Sequence, residues 1–313
     1  MRLLLLVNSS ASSVTARGRV VIQKALAADH DVTLAETSRR GHAARLARGA
    51  AGDGCDVVVV LGGDGTLNEA ANGLAGTPCA LAPLPGGSTN VFARTLGLPN
   101  DPIEATGDLL AALARSSIQP VGLGSVNGRY FLFHVGIGYD AAVVEQVERR
   151  SDLKRFLGHP LFVGCAISTW FRHYDRSRPR FAVHHSDGTL VDDGLFTVVL
   201  NTNPYTFLGN RPLDLIPEAT LERGLGSVTL RSMSFPAIIR AAAAAFRGRH
   251  RLERLRFAVV RTDLDGLTVT GHGPFPYQVD GDHLGDIERL DIRHEPNVLR
   301  LVVTPKEVAA SRR

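Results

Sequence analysis

Short apolar runs alternate with helical patterns through the first third of the chain. An apolar run opens the sequence, and β-branched or aliphatic runs recur at intervals that leave room for one helix between them. Regular alternation of strand and helix is typical of a doubly wound parallel sheet. The predicted strands are residues 1–7, Val32–Ala35, Val57–Leu61 and Ala80–Leu84, and the first predicted helices are Ala16–Ala28 and Gly41–Gly52.

The pattern changes after Val121, where short strands dominate. They are Leu123–Val126, Tyr130–Gly136, Arg180–His184, Phe196–Asn201, Ser227–Arg231, Leu267–Gly271, Tyr277–Val279 and Leu290–Arg293. Many short strands with few intervening helices indicate an antiparallel architecture. We therefore predict an α/β protein with two domains. Residues 1–118 form a Rossmann-like domain and residues 119–313 an antiparallel β-sandwich-like domain, with return of the C-terminal tail to the first domain left open.

The most distinctive polar segment directly follows the predicted strand at Val57–Leu61. It contains Gly62, Gly63, Asp64, Gly65 and Thr66, and a helical pattern begins there. Glycines allow the backbone to approach an anion closely, and a helix start presents N–H groups and a positive dipole end. A carboxylate suits such a site when a cation lies between it and the phosphate. Asp64 therefore suggests Mg²⁺–nucleotide rather than bare phosphate.

A second loop of the same kind follows the next predicted strand, Ala80–Leu84. It contains Gly86, Gly87, Ser88, Thr89 and Asn90, and another helical segment follows. Neighbouring parallel strands bind ligands at their carboxyl ends, which would bring the two loops together. Either loop taken alone is better explained as a tight turn, but the paired chemistry argues against both being only turns.

A pair of carboxylates separated by one glycine, Asp280-Gly281-Asp282, is the second candidate for chemistry. Two such side chains at a strand end can point into one cleft. From the residues alone, however, an Asp-Gly hairpin turn without a catalytic role is the better interpretation.

The ordered set of motifs resembles the diacylglycerol kinase and sphingosine kinase family, and most closely its soluble bacterial lipid kinases. The resemblance lies in GGDGTLNEAANGL (62–74), PGGSTNVFARTLGLP (85–99), NGRYFLFHVGIGYDAAVV (127–144), NTNPYTFLGNRPLDLIPEA (201–219), YQVDGDHLG (277–285) and the closing strand Val298–Pro305. GGDGT alone is not specific, because NAD kinases and phosphofructokinases carry similar loops. The order and spacing of the whole set are specific.

This resemblance implies an ATP-dependent lipid kinase that transfers the γ-phosphoryl group to diacylglycerol or a related lipid alcohol. It assigns Asp280 as general base with Asp282 as a supporting catalytic residue, and Asp64 as the Mg²⁺ ligand. The implied nucleotide-binding residues are Asn8, Ser9, Ser10, Thr37, Gly62, Gly63, Asp64, Gly65, Thr66, Asn68, Glu69, Gly86, Gly87, Ser88, Thr89 and Asn90. Glu69 is also explained as an acid favoured at a helix start.

Three positions depart from the family pattern. Asp282 stands where glutamate is usual, and Ser88 replaces a threonine while keeping its hydroxyl. Arg223 occupies the position of an acidic residue that the family uses at a structural Mg²⁺ site. Because a cation replaces a metal ligand there, this second metal site is not expected here.

Amino-acid composition limits the binding partners and the cellular location that can be expected. The net charge of +4 comes from a mild arginine excess, which suits a nucleotide or an anionic membrane surface and is too diffuse to indicate nucleic acid. Three cysteines without metal spacing favour a reduced, cytoplasmic protein. The N-terminal apolar run has five residues, shorter than the roughly 7–15 of a signal peptide. A homodimer is left open.

Contact with a membrane is expected to be peripheral, at its inner face, because no window approaches the roughly 20 apolar residues of a spanning helix. Arginines and aromatic residues occur together in Phe171–Arg180 and Ile238–Arg256, and such a mixture suits a headgroup layer. Solvated helix faces with their apolar side in the core are the more usual explanation of such segments.

Two other function classes stay open beside the lipid kinase. One is an NAD-kinase-like enzyme acting on a soluble substrate, and the other is a non-catalytic regulator that binds a nucleotide or a lipid. Diacylglycerol, a sphingoid base, ceramide and a polyprenol are all alcohols that a lipid kinase of this type could accept.

Overall fold

A computed structural model of the chain describes residues 1–150, 164–247 and 251–303. The chain divides into two compact units. The first contains Met1–Gly122 together with the chain from Pro296 onward, and the second contains Leu123–Glu295. Each unit has its own hydrophobic core.

The first unit alternates strand and helix. Its strands are β1 (Arg2–Val7), β2 (Asp31–Glu36), β3 (Val57–Gly62) and β4 (Ala80–Pro85), and its helices are α1 (Ala16–Ala27), α2 (His42–Gly52), α3 (Asp64–Leu74), α4 (Val91–Thr95) and α5 (Pro102–Ala114). Local chemistry fixes several helix starts. The Thr15 hydroxyl accepts the Gly18 N–H, and Asp101 accepts two N–H groups of α5, which has proline at its first position.

The four strands lie in the order β4–β3–β1–β2 and are all parallel. Val57, Val58, Val59 and Val60 of β3 are fully or almost fully buried, as expected for a central parallel strand covered on both faces. Because the strands are parallel, the loops that follow β1, β2, β3 and β4 share one edge of the sheet.

The second unit is rich in strands. They are β5 (Ile118–Val126, which begins in the first unit), β6 (Arg129–Phe131), β7 (His134–Gly138), β8 (Phe181–His185), β9 (Leu190–Gly194), β10 (Phe196–Leu200), β11 (Thr206–Leu208), β12 (Arg211–Leu213), β13 (Leu225–Leu230), β14 (Ala258–Leu264), β15 (Gly266–Val279) and β16 (Asp282–Val302). Its longer described helices are α6 (Tyr139–Glu148) and α7 (Phe235–Arg247). Residues 164–168 are helical as well, and single turns of π-helix and 3-10 helix lie at Thr169–His173 and Leu252–Arg254.

These strands pair antiparallel in the order β14–β13–β10–β7–β15–β16. The predicted α/β fold, with a doubly wound first part and an antiparallel, strand-rich second part, is confirmed.

The hairpin of β15 and β16 is longer than the sequence pattern indicates. Its strands have 14 and 21 residues, and register shifts interrupt their pairing. From Pro296 onward, β16 belongs to the first unit, where Arg300 and Leu301 pair with β4 in parallel. The predicted closing strand is thus the end of β16, and its last two positions, 304 and 305, lie outside the described residues.

Candidate active site

The polar residues predicted to bind phosphate lie at the carboxyl edge of the first unit's sheet. Asn8, Ser9 and Ser10 follow β1, Thr37 follows β2, and the two glycine loops follow β3 and β4. Side chains and backbone connect these loops. The Asn8 amide Nδ2 donates to the Thr66 hydroxyl at 2.9 Å, and the Gly86 N–H donates to the Gly62 carbonyl at 2.9 Å. The structure therefore joins both glycine loops and the β1 loop in one place.

Glycine is required where the two loops meet, because the backbones approach without room for side chains. A Cβ on Gly87 would lie 2.8 Å from the Gly63 Cα, and one on Gly86 would lie 2.8 Å from the Gly62 nitrogen. Asn90 closes the second loop in the left-handed conformation at φ 50°. Its side chain accepts from the Gly87 N–H at 2.8 Å and donates to the Gly87 carbonyl at 2.9 Å.

Asp64 joins the first loop to the helix after the second loop. Its carboxylate oxygens accept the backbone N–H groups of Val91 and Phe92 at 3.0 and 3.1 Å, at the start of α4. A carboxylate oxygen can accept more than one bond, so Asp64 keeps capacity for a cation carried by a phosphate ligand. The single carboxylate of Asp64 fits the binding of a Mg²⁺ ion that is already held by a nucleotide. A Mg²⁺ site made of protein ligands alone would need more oxygen donors.

Arg94, on α4, is a basic residue at this edge that the sequence interpretation did not single out. The residue is half-buried, and burial lowers the pKa of its guanidinium while the negative charge of Asp64 partly raises it. An arginine held within electrostatic reach of the loops is suited to an anionic ligand. Its place in the helix after a glycine loop was the signal that could have identified it.

Two predicted nucleotide-binding residues, Asn68 and Glu69, have contacts within α2 and α3. The Glu69 carboxylate accepts the Gly41 and Ala43 N–H groups at 2.7 and 3.1 Å, and so caps the start of α2. Asn68 is buried, and its oxygens accept from the Asn72 amide. Both side chains support the helices, which accords with the alternative reading of Glu69 as an acid favoured at a helix start.

The remaining predicted polar residues stay at the loop edge. The Ser9 hydroxyl donates to Glu36 at 2.6 Å, the Ser10 N–H donates to Asn8 at 3.1 Å, and the Thr37 N–H donates to the Val7 carbonyl at 2.9 Å. Ser88 is exposed and Thr89 is half-buried, so their hydroxyls lie at the loop surface.

In the second unit, Asp280 and Gly281 form the two-residue turn between β15 and β16. Val279 pairs with Asp282, and the turn residues have φ angles of 49° and 84°. Positive φ at both positions is the type I′ geometry favoured by Asp-Gly. The hairpin turn that the residues Asp280-Gly281 predict is therefore present, and its geometry does not decide whether the motif is catalytic.

The carboxylate of Asp280 is buried and accepts three backbone N–H groups. Leu132 donates at 2.7 Å, and Phe133 and His134 each donate at 3.0 Å. These donors fix the carboxylate and favour its charged form. Such an environment suits a structural anchor better than a group that must take up a proton.

Asp282, two residues further on, is accessible. Its side chain is 28% exposed and forms an ion pair with Arg129 at 3.2 Å, and the sequence interpretation did not single out Arg129. The accessible carboxylate of the motif is thus Asp282, at the first position of β16.

Known proteins similar to this chain indicate its family. Residues 2–126 match the family described as the diacylglycerol kinase catalytic domain. This stretch is thus similar to the catalytic domain of diacylglycerol kinases. The resemblance inferred from the motifs is confirmed.

Similarity to other proteins extends beyond these residues. It is 29% identical over 295 residues to a diacylglycerol kinase of Bacillus subtilis, covering 92% of this chain and 91% of that protein. It is 32% identical over 182 residues to a probable lipid kinase YegS-like of Pseudomonas aeruginosa, covering 58% and 57%. A diacylglycerol kinase structure from Bacillus anthracis has a TM-score of 0.72 at 21% identity over 97% of both chains, and shows the fold.

A buried polar cluster lies directly behind the hairpin turn of the second unit of this kinase. The Asp140 carboxylate accepts the Tyr205 hydroxyl at 2.5 Å and the Gln278 amide at 2.7 Å, and the Gln278 carbonyl accepts the Gly281 N–H at 2.8 Å. Burial raises the pKa of Asp140, whereas the two hydrogen bonds lower it. Burial and then the charge of Asp140 raise the pKa of Tyr205 well above its usual range.

This cluster connects the turn to α6 and β7. Gly136 of β7 has no room for a side chain, since a Cβ would lie 1.6 Å from Asp140 Oδ2. The sequence interpretation did not identify these residues. An aspartate in the apolar run 139–144 and a glutamine one residue from a buried valine were the available signals.

His134 lies beside the cluster as a neutral side chain. Its ring contacts Tyr205 with centroids 4.5 Å apart, and burial lowers its pKa to about 3. Its Nδ1 has no hydrogen-bond partner among the described residues.

In the described part of the chain, no three His, Cys, Asp or Glu side chains are grouped as they would be around a metal ion. Within the same residues, no helix is long and apolar enough to cross a bilayer.

Proposed function

We propose that this chain is a lipid kinase that transfers the γ-phosphoryl group of ATP to the hydroxyl of diacylglycerol or a related lipid alcohol. The observation that carries the proposal is the contact between two glycine loops at the carboxyl edge of a parallel sheet, within a domain of the diacylglycerol kinase family. The names of its relatives support a lipid acceptor.

The first unit supplies the groups that would bind the nucleotide. Backbone N–H groups of the loops at Gly62–Thr66 and Gly86–Asn90 would contact phosphate oxygens, together with the hydroxyls of Thr66, Ser88 and Thr89. The Arg94 guanidinium would offset their charge. Mg²⁺ brought by the nucleotide would neutralise phosphate charge, and Asp64 is the residue that would hold it, directly or through water.

For the general base we propose Asp282 rather than Asp280. The Asp280 oxygens accept three N–H groups, whereas Asp282 is accessible. As the lipid hydroxyl oxygen bonds to the γ-phosphorus, its proton passes to the Asp282 carboxylate and the bond to the β-phosphate oxygen breaks, which releases ADP. The ion pair with Arg129 would orient the base.

The test measures transfer of labelled γ-phosphate from ATP to detergent-dispersed diacylglycerol, sphingosine, ceramide and polyprenol, with NAD as a soluble acceptor. Asp282→Asn is expected to lower kcat by about 10²–10⁴-fold, the usual contribution of a general base. Asp286→Asn is the matched control, because it removes an exposed acid of the same strand.

Label in one of the lipids, lost in Asp282→Asn and kept in Asp286→Asn, would support both the acceptor and the base. Label in NAD alone would indicate that the acceptor is a soluble substrate and not a lipid. Absence of transfer to every acceptor, with nucleotide binding retained, would favour a non-catalytic regulator.

We place the reaction at the cytoplasmic face of a membrane, because long-chain lipid alcohols reside in bilayers and the chain has a mild basic excess. A homodimer stays a prediction, and nucleic acid is not among the proposed partners.

A further inference from the structure

Helix α7 exposes an unusual number of large apolar side chains. Of the ten large hydrophobic side chains that are exposed in the described part of the chain, three lie on this helix of 13 residues. They are Phe235, Ile239 and Phe246, which are 61%, 53% and 50% exposed. A helix that packs on a core with one face normally presents polar residues on the other.

The three side chains form one stripe. At about 100° per residue, positions 235, 239 and 246 lie within about 40° of one another around the helix axis. The buried face is separate and consists of small residues, Ala237, Ala241, Ala244 and Ala245. The helix therefore has two apolar faces, one packed against the protein and one directed outward.

Trp170 extends the outward stripe onto a neighbouring segment. Its ring lies 5.8 Å from Phe235 and 4.5 Å from Phe171, and Phe171 is 65% exposed. The indole N–H donates to the Met233 carbonyl at 2.9 Å, which fixes the ring. Arg176 stacks on its face with 3.7 Å between the guanidinium carbon and the ring centroid. We call Trp170, Phe171, Phe235, Ile239 and Phe246 the aromatic patch.

The charges beside the patch are mainly positive. Arg240 and Arg247 are exposed on α7, which contains no acidic residue. A shallow cleft next to Met233 is lined by Arg176, Arg178 and Arg231, together with Asp193 and three serines. Two of these arginines form exposed ion pairs, Arg178 with Asp175 at 3.3 Å and Arg231 with Asp193 at 2.6 Å. Apolar side chains flanked by arginines are typical of helices that lie in the headgroup region of an anionic membrane.

We propose that the aromatic patch is the surface by which this protein docks on an anionic phospholipid bilayer, with α7 lying in the interface plane. Phe235, Ile239, Phe246 and Phe171 would enter the acyl boundary, and Arg240, Arg247 and the cleft arginines would contact lipid phosphates. The proposal deepens the proposed function by naming the surface that brings the kinase to its lipid, although docking itself does not require phosphoryl transfer.

The test is sedimentation of the full chain with phosphatidylcholine vesicles, with and without phosphatidylglycerol. Binding to the anionic vesicles is expected to fall at least about tenfold in the variant Phe235→Ser/Ile239→Ser/Phe246→Ser, because three apolar contacts are lost. Val20→Ser/Val21→Ser/Ile103→Ser is the matched control, since it removes three exposed apolar side chains from the first unit and should bind as the unmodified chain does.

A second variant separates charge from apolar contact and does not depend on the serine variant folding. Arg240→Glu/Arg247→Glu should weaken binding to phosphatidylglycerol vesicles about fivefold or more per arginine and leave the weak binding to phosphatidylcholine unchanged. Added salt should reduce the difference. Circular dichroism confirms the fold of each variant.

Equal binding of all folded variants would overturn the proposal. Failure of the unmodified chain to bind vesicles would also overturn it. So would a dimer in size-exclusion chromatography that dissociates only in the serine variant. Phosphorylation of a short-chain, micelle-dispersed acceptor reports on the kinase separately. Activity there without vesicle binding would reject the docking surface alone, and vesicle binding without activity would reject the proposed reaction alone.

Discussion

The carboxylate of Asp280 illustrates how a single side chain fixes a turn. It accepts N–H groups of Leu132, Phe133 and His134 while its own N–H donates to the His134 carbonyl at 2.9 Å. In Asp280→Asn, one oxygen becomes an NH₂ group that faces N–H donors. We expect the free energy of unfolding to fall by about 2–4 kcal/mol.

Urea denaturation measures this difference. The comparison variant is Asp282→Asn, whose side chain is accessible and should change the free energy of unfolding by less than about 1 kcal/mol. Equal stability of the two variants would contradict the assignment of Asp280 as the structural member of the pair.

The lack of space around Gly136 leads to a second prediction about a single residue. Any Cβ there would collide with Asp140 Oδ2 and come within 2.4 Å of Gln278 Nε2. Gly136→Ala should therefore displace the cluster behind the turn and lower the free energy of unfolding by about 2–4 kcal/mol. Thermal denaturation measures the loss.

Gly107→Ala is the matched control for this substitution. Gly107 lies within α5 with nothing near the position of an added Cβ, so alanine there should be neutral or raise stability by up to about 1 kcal/mol. A change in stability for Gly136→Ala as small as that for Gly107→Ala would mean that the cluster adapts to the added methyl group.

The residue types of the site could be predicted, but the direction of their oxygens could not. Asp64, Glu69 and Asp280 were each expected to contribute to nucleotide binding or catalysis, and each has both oxygens on backbone N–H groups. The donors are 26–28 residues away for the first two, and more than 140 for Asp280. Contacts over such separations depend on the folded chain and leave no local pattern.

At the scale of the element, Glu69 connects two helices. It lies on α3, and its carboxylate completes the start of α2, whose cap residue Gly41 has no side chain to do so. Glu69→Ala should lower the free energy of unfolding by about 1–2 kcal/mol, as the loss of a helix cap does. The KM for ATP should stay within about twofold, because the carboxylate serves the helix.

Denaturation and steady-state kinetics of the same preparation check both parts. Glu104→Ala, which removes an acid from the first turn of α5 whose start Asp101 already caps, should have a smaller effect on stability. A large rise in the KM for ATP with unchanged stability would indicate that Glu69 binds the nucleotide, as the resemblance implies.

The elements themselves were predictable where one apolar pattern covers them completely. The valines of β3 and the capped helix α1 lie where their patterns indicate. The long strand β16 could not be recognised, because charged residues such as Asp286, Glu288 and Arg289 interrupt its apolar pattern while the hydrogen-bonded ladder continues. A strand with one solvated face normally alternates apolar and polar residues, and the register shifts in the pairing of β15 with β16 interrupt that alternation.

At the scale of the whole molecule, burial of His134 connects folding to pH. Its pKa is about 6.5 in the unfolded chain and about 3 in the folded protein, because burial excludes the charged form. Above pH 6.5 the ring is neutral in both states and its contribution to stability is fully present. Between pH 6.5 and 3 the unfolded chain binds a proton that the folded protein does not, so stability falls as pH falls.

The loss attributable to His134 is on the order of 4 kcal/mol across this window. His185, whose pKa burial also lowers, adds to the slope in the same direction and is present in every variant. In His134→Phe, an aromatic ring is kept and the titration is removed, so the plot of unfolding free energy against pH should be flatter between pH 6.5 and 3. Denaturant titrations at half-unit pH steps measure both slopes. Parallel curves for the two proteins would show that the pKa of His134 is the same in the folded and unfolded states. The acid sensitivity of the protein would then have to arise from other residues.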